Sequence, residues 1–437
     1  MATRSCLFSF SQYLTRQITR SSVIRRVPRR YVNNVSDRTP NKGPLAGYRV
    51  LDLTRILAGP YCTMILGDHG AEVIKIESPN FGDDTRRWGP PFIKGESTYF
   101  MSINRNKKSI AVNLKSPEGA KIVRELIKES DIVVENYVPG TLEKFGLDYE
   151  SVKSLNEKLI YCSISGFGQT GPYAKRAGFD VIVAAIGGLV EITGPENGEP
   201  CKVGVAVTDQ ATGLYAYGAI MAALLHRCAT GQGQYIECDL LSTQVSLLVN
   251  VASAYLNAGV EGKRYGTAHG SIVPYQAFPT ADGYLVVGAT NDDQFNKIAT
   301  LLDLDHLLED KRYATNPARV KHRVTLVDTL STRFRSKTTN EWLEIFKGSK
   351  LAYGPINDMK DVFRNEQVLH SGMIQEMNHK RAGKIRVAAS PVKFNKTETV
   401  FQCPPPMFAQ DTDQILRDIL KYNDDQIEAL KDEGAVR

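Results

Sequence analysis

The chain predicts an α/β fold built on a parallel, doubly wound sheet, and three observations carry that prediction. Short apolar runs recur from about Tyr48 onward. Helix-length segments separate them, which is the rhythm of strands joined by crossovers. The runs are mostly apolar, as strands covered on both faces are.

Taken in order, YRVLDL reads as a buried strand. A helix is predicted over Pro60 to His69, with proline in its first turn. EVIKIE, SIAVNL and DIVVEN are the second, third and fourth strands. Between the last two, Pro117 to Glu129 is an amphipathic helix with Ser116 placed as its N-cap. LIYCSIS is the fifth strand. A long helix over Asp209 to Cys228 carries few charges, so it is buried or lies at a subunit contact. A strand (QYIECDLL) and an apolar helix over Ser242 to Leu256 follow. From about Glu261 to Tyr353 the chain is richer in loops and polar helices, around the strand YLVVGA. After Asn357 come short strands, a proline-rich turn over Cys403 to Met407 and a pair of helices.

The length of 437 residues accommodates two domains, and the content of 42% hydrophobic and 23% charged residues is that of a globular protein. No apolar run reaches the ~18 residues that span a bilayer. The first 43 residues are rich in arginine and serine and hold no acid before Asp37, the signature of a mitochondrial transit peptide. Leu7, Phe8, Phe10, Tyr13, Leu14 and Ile18 give that leader an apolar side, which a nucleic-acid-binding tail does not need. Cleavage near Tyr31 removes seven arginines and takes the formal charge from +6 to −1. The mature chain then has no global attraction for nucleic acid or anionic lipid. Seven scattered cysteines show no C-x-x-C, so neither disulfides nor a metal site is expected of them.

GFGQTG, Gly166 to Gly171, follows a strand and matches a dinucleotide fingerprint. Pro172 then interrupts the helix that should receive the phosphates, and the turn is on the fifth strand instead of the first. Neither a nucleophile elbow, a P-loop nor a zinc motif is present. Asp180 stands out as the only acid between Glu157 and Glu191. At the mouth of an apolar helix it is either a simple N-cap or a poised anion. Gly166, Gly168, Gly171 and Gly178 leave the backbone around it unencumbered, and Gly187 and Gly188 thin the far side of its helix for a close contact. His269 is the histidine to watch, in the small-residue loop GTAHGS.

Together these segments resemble the family III CoA-transferases. The matching pieces are VLDLTRILAGP, GDHGAEVIKIESP, GDDTRRWGPPF, NRNKKSIAVNLKSPEG, DIVVENYVPG, SGFGQTGPYAKRAGFD and GTAHGSIVPYQAF, spread from about Pro44 to the C-terminus. The resemblance implies a Rossmann-like large domain made from both chain ends, an inserted smaller domain, and an interlocked homodimer. In those terms residues 1–43 are leader and linker, 44–235 the first part of the large CoA-binding domain, 236–356 linker and small domain, and 357–437 the return to the large domain. The implied activity moves CoA from an acyl-CoA, succinyl-CoA, to a dicarboxylic acid, glutarate, in the mitochondrial matrix. CoA thioester is a substrate, and no metal or cofactor is implied.

By the same resemblance Asp180 is the nucleophile, forming an aspartyl anhydride and then an aspartyl-CoA thioester. A mixed anhydride lies close enough in energy to a thioester for CoA to return, whereas a serine ester would be a deeper well. Gly166, Phe167 and Gly168 are the oxyanion candidates. CoA contacts are implied at Leu57, Ala58, Val112, Asn113, Leu114, Lys115, Asn136, Tyr137 and Lys144. Lys144 stands where formyl-CoA transferase has an arginine, Ser78 replaces another arginine, and Arg55 replaces a histidine. A dicarboxylate also needs a cation for its distal end; Arg55, Arg105 and Arg264 are candidates, with Arg264 or His269 near the implied lid, GTAHGS, favoured, and each is equally readable as a solvated surface charge. Two rivals stay open. One is an acyl-CoA racemase of the same superfamily, which needs a second base, and no histidine lies between His69 and His226. The other is a dinucleotide-binding oxidoreductase using GFGQTG.

Overall fold

The structure, a computed structural model, describes residues 43–437 apart from Gln402. The transit-peptide reading falls on residues outside that range.

The expected parallel sheet is present. Its strands are β1 (Arg49–Asp52), β2 (Glu72–Glu77), β5 (Lys107–Ala111), β6 (Ile132–Glu135), β7 (Ile160–Ser165) and β8 (Gln234–Asp239), with a two-residue hairpin, β3 (Phe92–Ile93) and β4 (Glu96–Ser97), looping out before β5. The order across the sheet is β5-β2-β1-β6-β7-β8, and every pairing is parallel. The chain therefore reverses direction across the sheet between β1 and β6. In open α/β sheets that reversal leaves a crevice at the carboxyl ends of the strands.

The connecting helices are α1 (Ala58–Asp68), α2 (Thr98–Ile103), α3 (Pro117–Lys128), α4 (Tyr149–Val152), α5 (Asp180–Ile186), α6 (Val207–Thr230), α7 (Leu240–Leu247) and α8 (Val249–Ala258). Successive strand residues point to opposite faces, so Leu51, Ile74 and Val133 pack under α3 while Val50, Val73 and Ile132 pack with α1 and α6. The predicted helix over Ser242 to Leu256 is divided into α7 and α8. Val249 adopts φ 41° at the junction, a left-handed conformation that a β-branched residue resists.

A second layer begins with β9 (Tyr275–Pro279), β10 (Tyr284–Gly288) and β11 (Ala352–Pro355), an antiparallel sheet covered by α9 (Asp292–Leu301), α10 (Asn316–Lys321), α11 (Arg323–Phe334) and α12 (Thr339–Phe346). It has its own core, in which Phe278, Phe334, Trp342 and Phe346 stack. Short helices α13 (Met359–Val362) and α14 (Glu366–His370) lead to the hairpin β12 (Ile374–His379) and β13 (Gly383–Ala388). The last helices, α15 (Thr412–Asp418) and α16 (Asp424–Asp432), then bury Ile415, Leu416, Ile427 and Leu430 in the same core as Leu51 and Ile74. The C-terminal segment is thus part of the first layer, and Val436 bridges Val112 beside β5.

Candidate active site

The crevice at the sheet reversal is closed by a reciprocal clasp. Asn136, after β6, accepts the Arg55 N–H at 2.9 Å and donates to the Arg55 carbonyl at 2.7 Å. Ile56 follows with φ 71°, strained for a β-branched residue, and its N–H donates to Asp83 Oδ1 at 3.2 Å. That bend leads into the N-terminus of α1. No side chain caps α1 at Leu57, so its first N–H groups lack an intrahelical partner.

Beside the clasp lies a cleft of about 480 Å³. It gathers Arg55, Val112, Asn113, Leu114, Lys115 and Tyr137 from the sequence-derived set. Leu57 and Ala58 are buried at the start of α1, Asn136 is in the clasp, and Lys144 is exposed on a short 3-10 turn (Glu143–Phe145) without lining the cleft. Sequence reasoning missed the charged floor. Lys75 Nζ pairs with Asp83 Oδ2 at 2.9 Å with both side chains inaccessible, and Arg86 pairs with Glu77 at 2.6 Å. The hidden signal was a lysine and a glutamate within the otherwise apolar strand EVIKIE.

Asp180 does not cap its helix. Phe179 is the N-cap, and Asp180 is the first residue of α5. Its Oδ1 instead accepts the backbone N–H of Asp209 at 3.0 Å, in the first turn of α6. Asp209 is the second residue that sequence reasoning missed as chemistry, having read it only as the beginning of a long apolar helix. Its position follows from a close helix crossing. Gly213, one turn later, approaches α1 so tightly that a Cβ there would lie 2.6 Å from the Ala58 carbonyl oxygen. Asp209 is thereby brought to the start of α1, where Leu57, Tyr99 and Ala206 pack together. Burial first, and the Asp180 charge second, push the Asp209 carboxyl up to about 7. Its carboxylate oxygens form no hydrogen bond among the described residues. Tyr99 is raised by burial and then by the charges of Asp209, Asp180 and Asp83.

The glycine turn serves packing. A Cβ on Gly166 would lie 2.9 Å from the Gly178 Cα, so the two glycines let the segment before Asp180 fold against the end of β7. Gly168 N–H donates to Ser165 Oγ at 3.0 Å, and Phe167 is buried, so this turn offers fewer free donors to an oxyanion than the sequence reading assumed. Gly187 meets α7, where a Cβ would lie 2.4 Å from Gln244 Cγ. The apolar side chains of α5 do not enclose Asp180 in the single chain: Val181, Ile182 and Ile186 are exposed.

The candidate cations are dispersed. Arg55 lines the cleft, pairs with Asp84 at 3.0 Å and lies over Tyr137. Arg105 is buried against Asp68 at 2.6 Å and is structural. Arg264 pairs with Glu191 at 2.8 Å, with its Nε buried and without a hydrogen-bond partner among the described residues. His269 stacks on Tyr275, and its Nδ1 accepts the Ser271 N–H at 3.1 Å.

Comparison with known proteins agrees with this architecture. The model of CoA-transferase family III matches residues 45–412. Succinyl-CoA:glutarate CoA-transferase of Mus musculus is 56% identical over 393 residues, covering 90% of each chain. The Homo sapiens protein of that name is 54% identical over 396 residues, covering 91% of this chain and 90% of its own. Among solved structures, a CAIB/BAIF family protein from Brucella suis superposes with a TM-score of 0.79 at 42% identity, over 87% of this chain and all of that one. On the fold, the crevice and these similarities, the chain belongs to CoA-transferase family III.

Proposed function

We propose that this enzyme moves CoA from succinyl-CoA to glutarate, and that the covalent carrier is Asp209, with Asp180 as its positioning partner. The substrate pair is that named for relatives at 54% and 56% identity. The observation that carries the residue assignment is the contact between the two aspartates. A carboxylate that must attack a carbonyl needs free lone pairs, partial desolvation and raised basicity. Asp209 has all three, whereas an oxygen of Asp180 is occupied by the Asp209 N–H. The sequence reading gave the covalent role to Asp180; the free, desolvated oxygens favour its neighbour.

Asp209 attacks the thioester carbonyl, the C–S bond breaks, and CoA thiolate leaves an acyl-aspartyl anhydride. The thiolate then attacks the aspartyl carbonyl, releasing succinate and forming an aspartyl-CoA thioester. Glutarate carboxylate attacks that carbonyl and expels the thiolate, which attacks the glutaryl carbonyl. Glutaryl-CoA departs and the Asp209 carboxylate is restored. Each step exchanges one acyl–oxygen or acyl–sulfur bond for another, so the chemistry calls for no metal or redox cofactor. The uncapped start of α1, which α6 crosses at Gly213, supplies backbone donors for the oxyanion, and the cleft beside Lys115 suits the CoA phosphates.

The same reading takes the enzyme to be a homodimer of the mitochondrial matrix. Val181 and Ile186 on α5, Leu225 on α6 and Val249 and Leu256 on α8 are exposed apolar side chains of the kind that a second copy covers. The arginine-rich leader carries the localisation. The deciding experiment is incubation with succinyl-CoA, quenching with hydroxylamine and peptide mass spectrometry. Modification at Asp209 is the expected result; modification at Asp180 returns the covalent role to that residue.

A further inference from the structure

A second recess, of about 260 Å³, opens over the sheet where Glu135 of β6, Tyr161 and Ser163 of β7 and Tyr235 of β8 line it, on the other side of the Tyr137–Val138 wall from the CoA cleft. Tyr149, Tyr161 and Tyr235 line it and pack on one another, with ring centroids 5.2 Å apart for Tyr149 and Tyr235 and 5.9 Å for Tyr149 and Tyr161. At its base is Glu135, only 5% exposed. The Tyr137 N–H donates to Glu135 Oε2 at 2.8 Å, a neutral donor that orients the carboxylate without balancing its charge. Asp148, Glu143 and Glu150 surround the opening. Among the described residues that line the recess, none is a lysine or an arginine.

The contrast with the rest of the sheet edge is sharp. Glu77 has Arg86, Asp83 has Lys75, and Asp52 has Lys107. Glu135 alone of these buried acids has no cation, and burial pushes it up to about 7 despite hydrogen bonds from Ser163 and the Tyr137 N–H. A buried carboxylate without a counter-charge is costly. Tyrosine rings lining a recess that also holds a buried carboxylate suit an alkylated ammonium, since the ring quadrupoles attract the cation while its carbons meet the apolar wall. The volume suits a small organic molecule, below the usual range for a drug-sized ligand.

We propose that this recess is a binding site for a small organic ammonium ion, held by Glu135 and the faces of Tyr149 and Tyr235. It is separate from the aspartate pair and does not depend on which aspartate carries the acyl group.

The test uses the full chain at pH 8 in an amine-free buffer, at constant ionic strength set with sodium. Choline is titrated by calorimetry and tyrosine fluorescence, beside its neutral carbon isostere, dimethylbutanol, and beside potassium chloride. The expected result is saturable choline binding at least about tenfold tighter than that of the neutral isostere, weakened about tenfold or more by Glu135→Gln. Tyr235→Leu, at the rim, is expected to weaken it as well and keeps the test valid should the Glu135 variant misfold. Equal binding of the neutral isostere, a response reproduced by potassium, or choline affinity unchanged in the folded variants overturns the proposal.

Discussion

The backbone N–H of Asp209 donates to the side chain of Asp180 at 3.0 Å, joining the first turns of two helices that are 29 residues apart in the chain. One carboxylate is thereby oriented by the other residue's backbone. The remaining carboxyl, on Asp209, is left without a hydrogen-bond partner among the described residues, and the neighbouring negative charge raises its basicity.

Replacement of Asp209 by asparagine is expected to lower kcat by on the order of 10³-fold or more, as loss of a nucleophile does. Asp180→Asn is expected to cost less and to leave covalent trapping at Asp209 detectable. Steady-state rates with succinyl-CoA and glutarate, with mass spectrometry of the quenched proteins, check both. Trapping that disappears only in the Asp180 variant contradicts the assignment.

The pH profile carries an independent signature. Asp209 attacks as the anion, so kcat/KM is expected to rise through about pH 7 and then level. Removing the Asp180 charge lowers the Asp209 value, so Asp180→Asn moves this limb to lower pH. For stability the sign is opposite to the usual carboxylate. Because the folded value lies above the unfolded 3.8, the contribution of Asp209 is intact below that pH and is lost as pH rises toward 7. A limb that stays fixed in the Asp180 variant assigns the titration to another group.

Arg264 is paired with the exposed Glu191, an attachment that a substrate carboxylate can replace. Arg264→Ala is expected to raise the KM for glutarate about tenfold, within the range for losing a charge-assisted hydrogen bond, and to leave the KM for succinyl-CoA unchanged. Equal loss for both substrates removes Arg264 from the acceptor site.

Under the cleft, Asp52 and Lys107 form an inaccessible pair at 3.0 Å. Burial alone would raise Asp52, but Lys107 and Lys75, with the hydroxyls of Thr54 and Thr63, hold it at about 2. Its stabilising contribution is therefore complete above pH ~4 and is lost as pH falls through about 2. Asp52→Ala or Lys107→Ala is expected to cost about 3–5 kcal/mol, since each strands a buried charge, and the double replacement Asp52→Leu with Lys107→Met is expected to cost less than the two singles together. Chemical denaturation at pH 7 measures this; strict additivity refutes the coupling.

The exposed apolar surface on α8 gives the oligomer test. Leu256 and Val249 are 78% and 69% exposed in the single chain. Leu256→Glu with Val249→Glu is expected to convert a dimer to monomers in analytical ultracentrifugation. A wild-type chain that sediments as a monomer refutes the dimer outright.

The strands were legible because β1, β2, β6 and β7 are buried on both faces, and an unbroken apolar run has few alternative fates. The start of α3 was legible in Ser116-Pro117, although the Ser116 side chain makes no capping bond. The break between α7 and α8 was not legible, because no proline or glycine marks it; it resides in the backbone of Val249. Asp180 was found because it interrupts an apolar stretch. Asp209 was overlooked as chemistry because its surroundings read as an ordinary helix start.

The amino-acid order alone determined the α/β class and the order in which the strands of the parallel sheet follow one another along the chain. Tertiary structure alone decided which charges meet. The sheet reversal put Arg55 beside Asn136, and the close crossing at Gly213 brought Asp209 to the start of α1. The physical reason is that apolar periodicity is written locally along the chain, whereas desolvation and Coulomb energy depend on neighbours that only folding supplies.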